Sequence, residues 1–311
     1  MKSNYRYIVK AFMAMAVIAG TTSCDDFLDR EPMSSISPET YYSTAAQLEA
    51  NLNDEYPNVL PSFGQWTYGI FGEDKGTDNQ IEVNANDRYT QDRWKVPHSE
   101  SDNWKFERIY RINFFLSEAL PKFGEDMSGS QNTISGSVAT IKHYIGEMYF
   151  LRAYEYFKKL QLFGDFPIID QPLADEMEAL REASKRFPRN EVARFIISDL
   201  DKAYAYMSDV DMATTRINKD AAMLVKSRVA LFEATWLQNF KGTAFVPGGE
   251  GWPGASLHNN YQYPSGNLDN EVKYFLEQAV EASKLVADKY KGNLTENTGV
   301  LQQSADDPSN P

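Results

Sequence analysis

The chain has 311 residues, a formal net charge of −13 and 13% aromatic residues. So acidic a balance makes nucleic acid and anionic membrane surfaces poor partners, because both repel it. There is a single cysteine, Cys24, so no intramolecular disulfide can form.

The N-terminus sets the compartment. Lys2, Arg6 and Lys10 precede the apolar run Ala11–Ala19, and Thr21, Thr22 and Ser23 lead to Cys24. The order basic, apolar, small is that of a cleavable export signal. The apolar run is well short of the ~20 residues that a membrane-spanning helix needs. Residues 1–23 are therefore expected to be a lipoprotein signal peptide, with Cys24 as the lipid-accepting residue. A thioether to diacylglycerol removes the lone thiol, and diacyl plus N-acyl chains suffice for stable anchoring. The acidic DDFLD that follows opens a tether over residues 24–43.

Helices separated by long irregular loops are expected next. Thr44 and Gln47 have capping-box spacing and open a helix through Leu48, Leu52 and Tyr56, stopping at Pro57. Residues 57–101 show little helical period, which is unusual in a compact domain unless the loop has a task. A second helix spans about Asp102 to Leu120 and ends at Pro121. The third has the clearest period: Val138, Ile141, Ile145, Tyr149, Ala153, Tyr156, Leu160 and Phe163 share one face. Phe150, Tyr154 and Phe157 give it a second apolar face, and Gly164 with Pro167 ends it. Helices four, five and six carry Val192–Met207, Ala221–Trp236 and Val272–Val286, with a second long loop over 239–267. Strand-like alternation is scarce. The fold class is mostly α, with tetratricopeptide-like helix hairpins carrying long irregular loops, though no repeat of fixed period is visible. The polar ending SADDPSNP reads as the end of a fragment, leaving a helical domain over 44–311 incomplete at its C-terminus.

Catalytic patterns fail in turn. His98, His143 and His258 lack metal-ligand spacing, and neither GxSxG nor HExxH occurs. Gly249, Gly251 and Gly254 spell GxGxxG, but Pro253 interrupts it and no strand precedes it, so it reads as a turn. Carboxylates are too plentiful for any pair to mark a glycosidase. Neither a metal nor a cofactor is expected, and the chain is expected not to be an enzyme. His143 reads as a surface or packing residue. Glu147 and Arg152 sit on the helix packed on two sides, where charges must be paired; joining hairpins is favoured over ligand binding.

Sugar recognition needs an aromatic face against the ring and amides, carboxylates or guanidinium for the hydroxyls. The first loop supplies both in Gln65, Trp66, Tyr68, Asp74, Asp78, Asn79, Arg88, Tyr89, Arg93 and Trp94. The second offers Trp252, Tyr261 and Tyr263 beside Asn259 and Asn260. For each aromatic, two readings stay open: a ligand platform, or an anchor that fixes the loop to the helices.

Five segments in order resemble the SusD/RagB family of outer-membrane nutrient-binding lipoproteins. They are CDDFLDREPMSSISPETYY, FERIYRINFFLSEAL with Ile109 and Asn113, GEMYFLRAYEYFKKLQLFGDFPII, ARFIISDLDKA, and INKDAAMLVKSRVALFEA. The third is the most specific, with FLRA followed by the Phe163-Gly164-Asp165-x-Pro167 exit. Two departures are Phe106, where many members have Tyr, and the lack of the further loop-rich region usual in the family. The resemblance implies a lid at the cell surface over a SusC-like TonB-dependent barrel transporter, on the extracellular side of the outer membrane. It implies binding of an oligosaccharide without cleavage; a peptide-binding lid or a non-binding scaffold is the alternative. It also places ligand contacts in the stretch between the first two helices, by region and not by residue motif.

Overall fold

The computed structural model describes residues 41–61, 103–124, 126–208, 212 and 215–293. The chain divides into two compact units, Met1–Tyr42 and Ser43–Pro311. The helices described below all lie in the second.

Among the described residues seven α-helices follow in order: α1 Ala45–Val59, α2 Glu107–Phe123, α3 Val138–Phe163, α4 Met177–Ala183, α5 Arg189–Tyr206, α6 Lys219–Asn239 and α7 Leu268–Tyr290. No strand occurs among the described residues, only the isolated bridges Thr44–Ser135 and Phe166–Phe187. The protein is mostly α, as the helical periodicities require.

The capping box of α1 is fully formed, Thr44 and Gln47 each accepting from the other's backbone N–H. Yet α1 does not stop at Pro57; it runs on to Val59. Burial of Val59 and a 2.9 Å hydrogen bond from Lys158 Nζ to the Val59 carbonyl hold that last turn despite the missing proline N–H. Likewise α2 begins at Glu107 and continues through Pro121 to Phe123, whose ring is fully buried. The short helix α4 buries no residue, so no apolar period announced it.

Helix α3 is the spine. Ser137 caps its start, and Gly164, at φ 69°, ends it in the left-handed region that glycine enters at little cost. It packs against α1, α2 and α5. At Gly146 a Cβ would lie 2.8 Å from the Met207 backbone nitrogen, so only glycine allows α5 this close. Paired contacts fix the directions. Arg152 on α3 meets Asp199 on α5 and Asn113 on α2, while Phe123 at the end of α2 meets Tyr206 at the end of α5. On the last hairpin, Lys241 reaches Asp269 and Lys289 reaches Asp220, so α6 and α7 run antiparallel.

Buried ion pairs join neighbouring helices. Arg152 grips Asp199 through Nε at 2.6 Å and NH2 at 2.9 Å. Arg189 grips Glu233 of α6, and Glu271 of α7 accepts from both Arg194 and Asn190 of α5. Glu147 accepts from Arg216 and from the Tyr56 hydroxyl of α1. The pairing expected for Glu147 and Arg152 is what the structure contains. Such pairs give little net stability when intact, but breaking one strands a buried charge at a cost of about 3–5 kcal/mol. His143 is a buried packing residue: its Nδ1 accepts from the Ser208 backbone N–H, so Nε2 carries the proton and faces the Ile217 carbonyl.

One consequence positions the site. The connections within hairpins, residues 60–106, 164–188 and 240–267, are long and leave from the same end of the stack. The connections between hairpins, 124–137 and 207–218, are shorter and lie at the other end.

Candidate functional site

The described parts of the three long loops converge on the last turns of α3. Trp104 from the first loop packs edge-on against Phe163 and Phe166, and the Arg186 guanidinium lies 4.6 Å from its ring. Asp165 accepts from Trp252 Nε1 at 2.7 Å and from the Arg189 backbone N–H at 2.9 Å. His258 Nε2 meets the Arg186 carbonyl at 2.8 Å. Burial pushes the Asp165 carboxyl above the ordinary aspartate value, against the pull of Trp252 and Arg189.

The final turns of α3 differ from the rest of the helix because Tyr154, Lys158, Gln161 and Leu162 lie at i, i+4, i+7 and i+8 and form one open stripe. That ridge separates three clefts. The first, of ≈ 520 Å³, lies between Gln161–Asp165, Arg186, Trp236 and the loop carrying Phe245, Trp252 and Leu257. Its rim is apolar and exposed at Leu162, Phe245 and Leu257. Trp236 is held in place by its Nε1–H bond to the Phe245 carbonyl at 3.0 Å and by the Arg189 guanidinium 4.0 Å from its ring. The second, of ≈ 540 Å³, is lined by Asn58 and Val59–Pro61 of the α1 exit, by Tyr154, Phe157, Lys158 and Gln161 of α3, and by Val225 and Arg228 of α6. The third, of ≈ 440 Å³, lies by the start of α2 and is dominated by Lys105, Arg108, Lys158 and Lys159 around the buried Glu155. Glu155 is already engaged, by Lys158 at 2.7 Å and Lys159 at 3.3 Å. Gln161 borders the first two clefts, and Lys158 borders the second and third.

Of the expected ligand residues, Trp66, Tyr68, Asp74, Asp78, Asn79, Arg88 and Trp94 lie outside the described residues, as does Cys24. Trp252 does line the first cleft, but it is only 4% exposed and its N–H is committed to Asp165. Tyr261 donates to Asn190 Oδ1 and Tyr263 donates to the Pro247 carbonyl. Burial raises both phenols well above the ordinary tyrosine value. These hydroxyls anchor the loop to α5 and to itself, and neither ring lines the three clefts. The GxGxxG stretch is a run of turns, with Gly251 at φ 76° and Pro253–Ser256 forming a short 3-10 helix. Sequence reasoning passed over Gln161, Leu162, Arg186, Arg228, Trp236 and Phe245. The signal for the first two was a polar and an exposed apolar residue just before Gly164, on a helix buried almost everywhere else.

No group of three or more metal-ligating side chains suited to an ion occurs among the described residues, and no helix among them is long and apolar enough to cross a membrane.

A SusD-like family model, described as "Starch-binding associating with outer membrane", matches residues 26–231. The chain belongs to the SusD-like family. Among curated SusD-like relatives, SusD-like protein P2 of Formosa agariphila is 25% identical over 253 residues, covering 78% of this chain and 46% of its own length. SusD-like protein P25 of the same organism is 25% identical over 233 residues, covering 69% of this chain and 41% of its own. The chain thus spans less than half the length of these SusD-like relatives. Among solved structures, a SusD-like protein from Bacteroides fragilis aligns with a TM-score of 0.47 at 22% identity, covering 68% of this chain and 39% of that one. A SusD-like carbohydrate-binding protein from Bacteroides vulgatus aligns with a TM-score of 0.44 at 15% identity, covering 82% and 47%.

Proposed function

We propose that this chain is a surface-held receptor that captures an oligosaccharide at the loop-bearing end of its helix stack and delivers it to a SusC-like TonB-dependent barrel transporter. Lipid on Cys24 and the tether after it hold the body to the outer membrane, facing outward. Residues 1–23 are the leader removed on export. The body binds its ligand without cleaving it.

The observation that carries this reading is the convergence of the long within-hairpin loops on the α3 ridge. It shapes the first cleft, of ≈ 520 Å³, and beside it the α1 exit, α3 and α6 enclose the second, of ≈ 540 Å³; each has aromatic surface and hydrogen-bonding side chains. That mixture of flat apolar faces and a few polar groups suits a pyranose chain. The family description, with its starch-binding and outer-membrane association, supports the same reading. Trp66, Tyr68, Asp74, Asp78, Asn79, Arg88 and Trp94, in the sequence that follows α1, are the further ligand contacts of this proposal.

Calorimetry and affinity electrophoresis with glycan and peptide panels test the reading. The expected result is binding of one glycan class, recovered intact, and weakened about tenfold or more in Trp66→Ala or Trp94→Ala, the upper range for loss of one stacking aromatic. Failure to bind any glycan would overturn it, and binding of peptides alone would replace the ligand class. Co-purification of the native lipoprotein with a barrel transporter, lost in Cys24→Ser membranes, tests delivery separately.

A further inference from the structure

The second cleft runs against the charge of the chain. Acidic residues outnumber basic ones 44 to 31 overall. Yet among the described residues the cleft is lined by two cations, Lys158 and Arg228, and by no carboxylate.

The two cations differ in how far they are spoken for. Lys158 donates to the Val59 carbonyl at 2.9 Å and pairs with Glu155 at 2.7 Å, while its side chain stays 34% exposed. Arg228 is exposed and makes no ion pair among the described residues. Its own helix offers none: the residues three and four positions away are Leu224, Val225, Leu231 and Phe232. Across the cleft α3 presents Tyr154, Phe157, Lys158 and Gln161. A planar guanidinium fork with no acidic partner among the described residues, facing an ammonium, is suited to a planar or tetrahedral anion brought by a ligand. Distant acidic charges do not cancel this, because at physiological salt the screening length is only about 8 Å. Tyr154 and Phe157 offer apolar ring surface beside the cations, and Asn58 and Gln161 offer amides to hydroxyls.

We infer that this cleft receives the anionic group of an acidic oligosaccharide, a uronate carboxylate or a sulfate ester, with Arg228 as its principal contact and Lys158 as a supporting charge. The inference rests on the glycan-binding reading above and narrows it to a substrate class.

The test is titration calorimetry of the full chain with three probes of matched length: an oligogalacturonate, a sulfated galactan oligosaccharide and maltohexaose. Wild type is compared with Arg228→Gln and Arg228→Glu, whose folding is checked by circular dichroism and melting temperature. One acidic probe should bind at least about tenfold tighter than the neutral one and weaken several-fold between low and high salt, as a charge-assisted contact does. Arg228→Gln should remove most of that preference and Arg228→Glu all of it, read as the ratio of acidic-probe to neutral-probe affinity in each variant. Which acidic probe responds identifies carboxylate or sulfate. Equal or better binding of maltohexaose, or an acidic affinity indifferent to Arg228→Glu, overturns this inference and leaves glycan binding standing. Silence of all three probes and of a broader glycan panel removes the glycan reading and this inference together.

Discussion

Two stretches of α3 carry charge in opposite ways. Along the middle, Glu147 and Arg152 are buried; Glu147 is held by Tyr56 of α1 and by Arg216 of the 207–218 connection, and Arg152 by Asp199 of α5 and Asn113 of α2. In the last turns, Lys158, Gln161 and Leu162 are open to solvent and border clefts. One continuous helix thus supplies both the lock of the scaffold and the ridge of the site. A substitution in the buried middle should change stability, and one in the last turns should change recognition, because rigid elements position a site better than the loops that decorate it.

The most severe way to break the buried stretch is Arg152→Ala. It leaves Asp199 fully buried without its bidentate partner and frees the Asn113 amide oxygen. A loss of about 3–5 kcal/mol is expected, read as a lower denaturant midpoint. An unchanged midpoint would show that the lock is dispensable.

A smaller effect, with a sign set by pH, is expected at Glu271. Burial pushes its carboxyl up, but hydrogen bonds from Arg194, Asn190 and Ser265 outweigh burial and hold it below the ordinary value of 4.5. A depressed folded-state pKa means the stabilisation is fully present above the unfolded-state value and is lost as pH falls through the folded one. Glu271→Gln should therefore cost about 2–3 kcal/mol at pH 7, as for hydrogen bonds to a charged group. The gap to wild type should narrow in melts taken below pH 4. A gap that stays constant or widens in acid would contradict the assignment.

The least effect, and the sharpest contrast, belongs to Gln161→Ala in the open last turns. The side chain is exposed, so the melting temperature should stay where it is. Glycan affinity should fall by about two- to fivefold, the worth of one modest hydrogen bond.

Much of this division could be read from residue order. The period of α3, its Gly164 stop and the need to pair Glu147 and Arg152 all follow from burial of one helix among several. The bounds at Pro57 and Pro121 could not be read, because tertiary burial of Val59 and Phe123 outweighs a local helix breaker within the last turn. The short helix Met177–Ala183 was hidden for the opposite reason, having no buried face to leave a pattern. At the site, composition pointed to aromatic-rich loops, and Trp252 is indeed beside a cleft. Composition cannot tell a platform from an anchor: Tyr261 and Tyr263 have the same chemistry as a sugar platform, and only the fold shows that their hydroxyls are spent on Asn190 and the Pro247 carbonyl. Arg228 was invisible because its meaning lies in what α3 places opposite it, and no local spacing records that.

Asp165 joins three separate pieces of backbone through one carboxylate: the exit of α3, the first residue of α5 and the loop at Trp252. The walls of the first cleft are therefore set before any guest arrives. A guest that finds its seat already shaped gives up only its own freedom, not the host's, so weak individual contacts can add up to useful retention. For the receptor role proposed above, which also requires letting go, that arrangement keeps the grip in the fit of the surfaces.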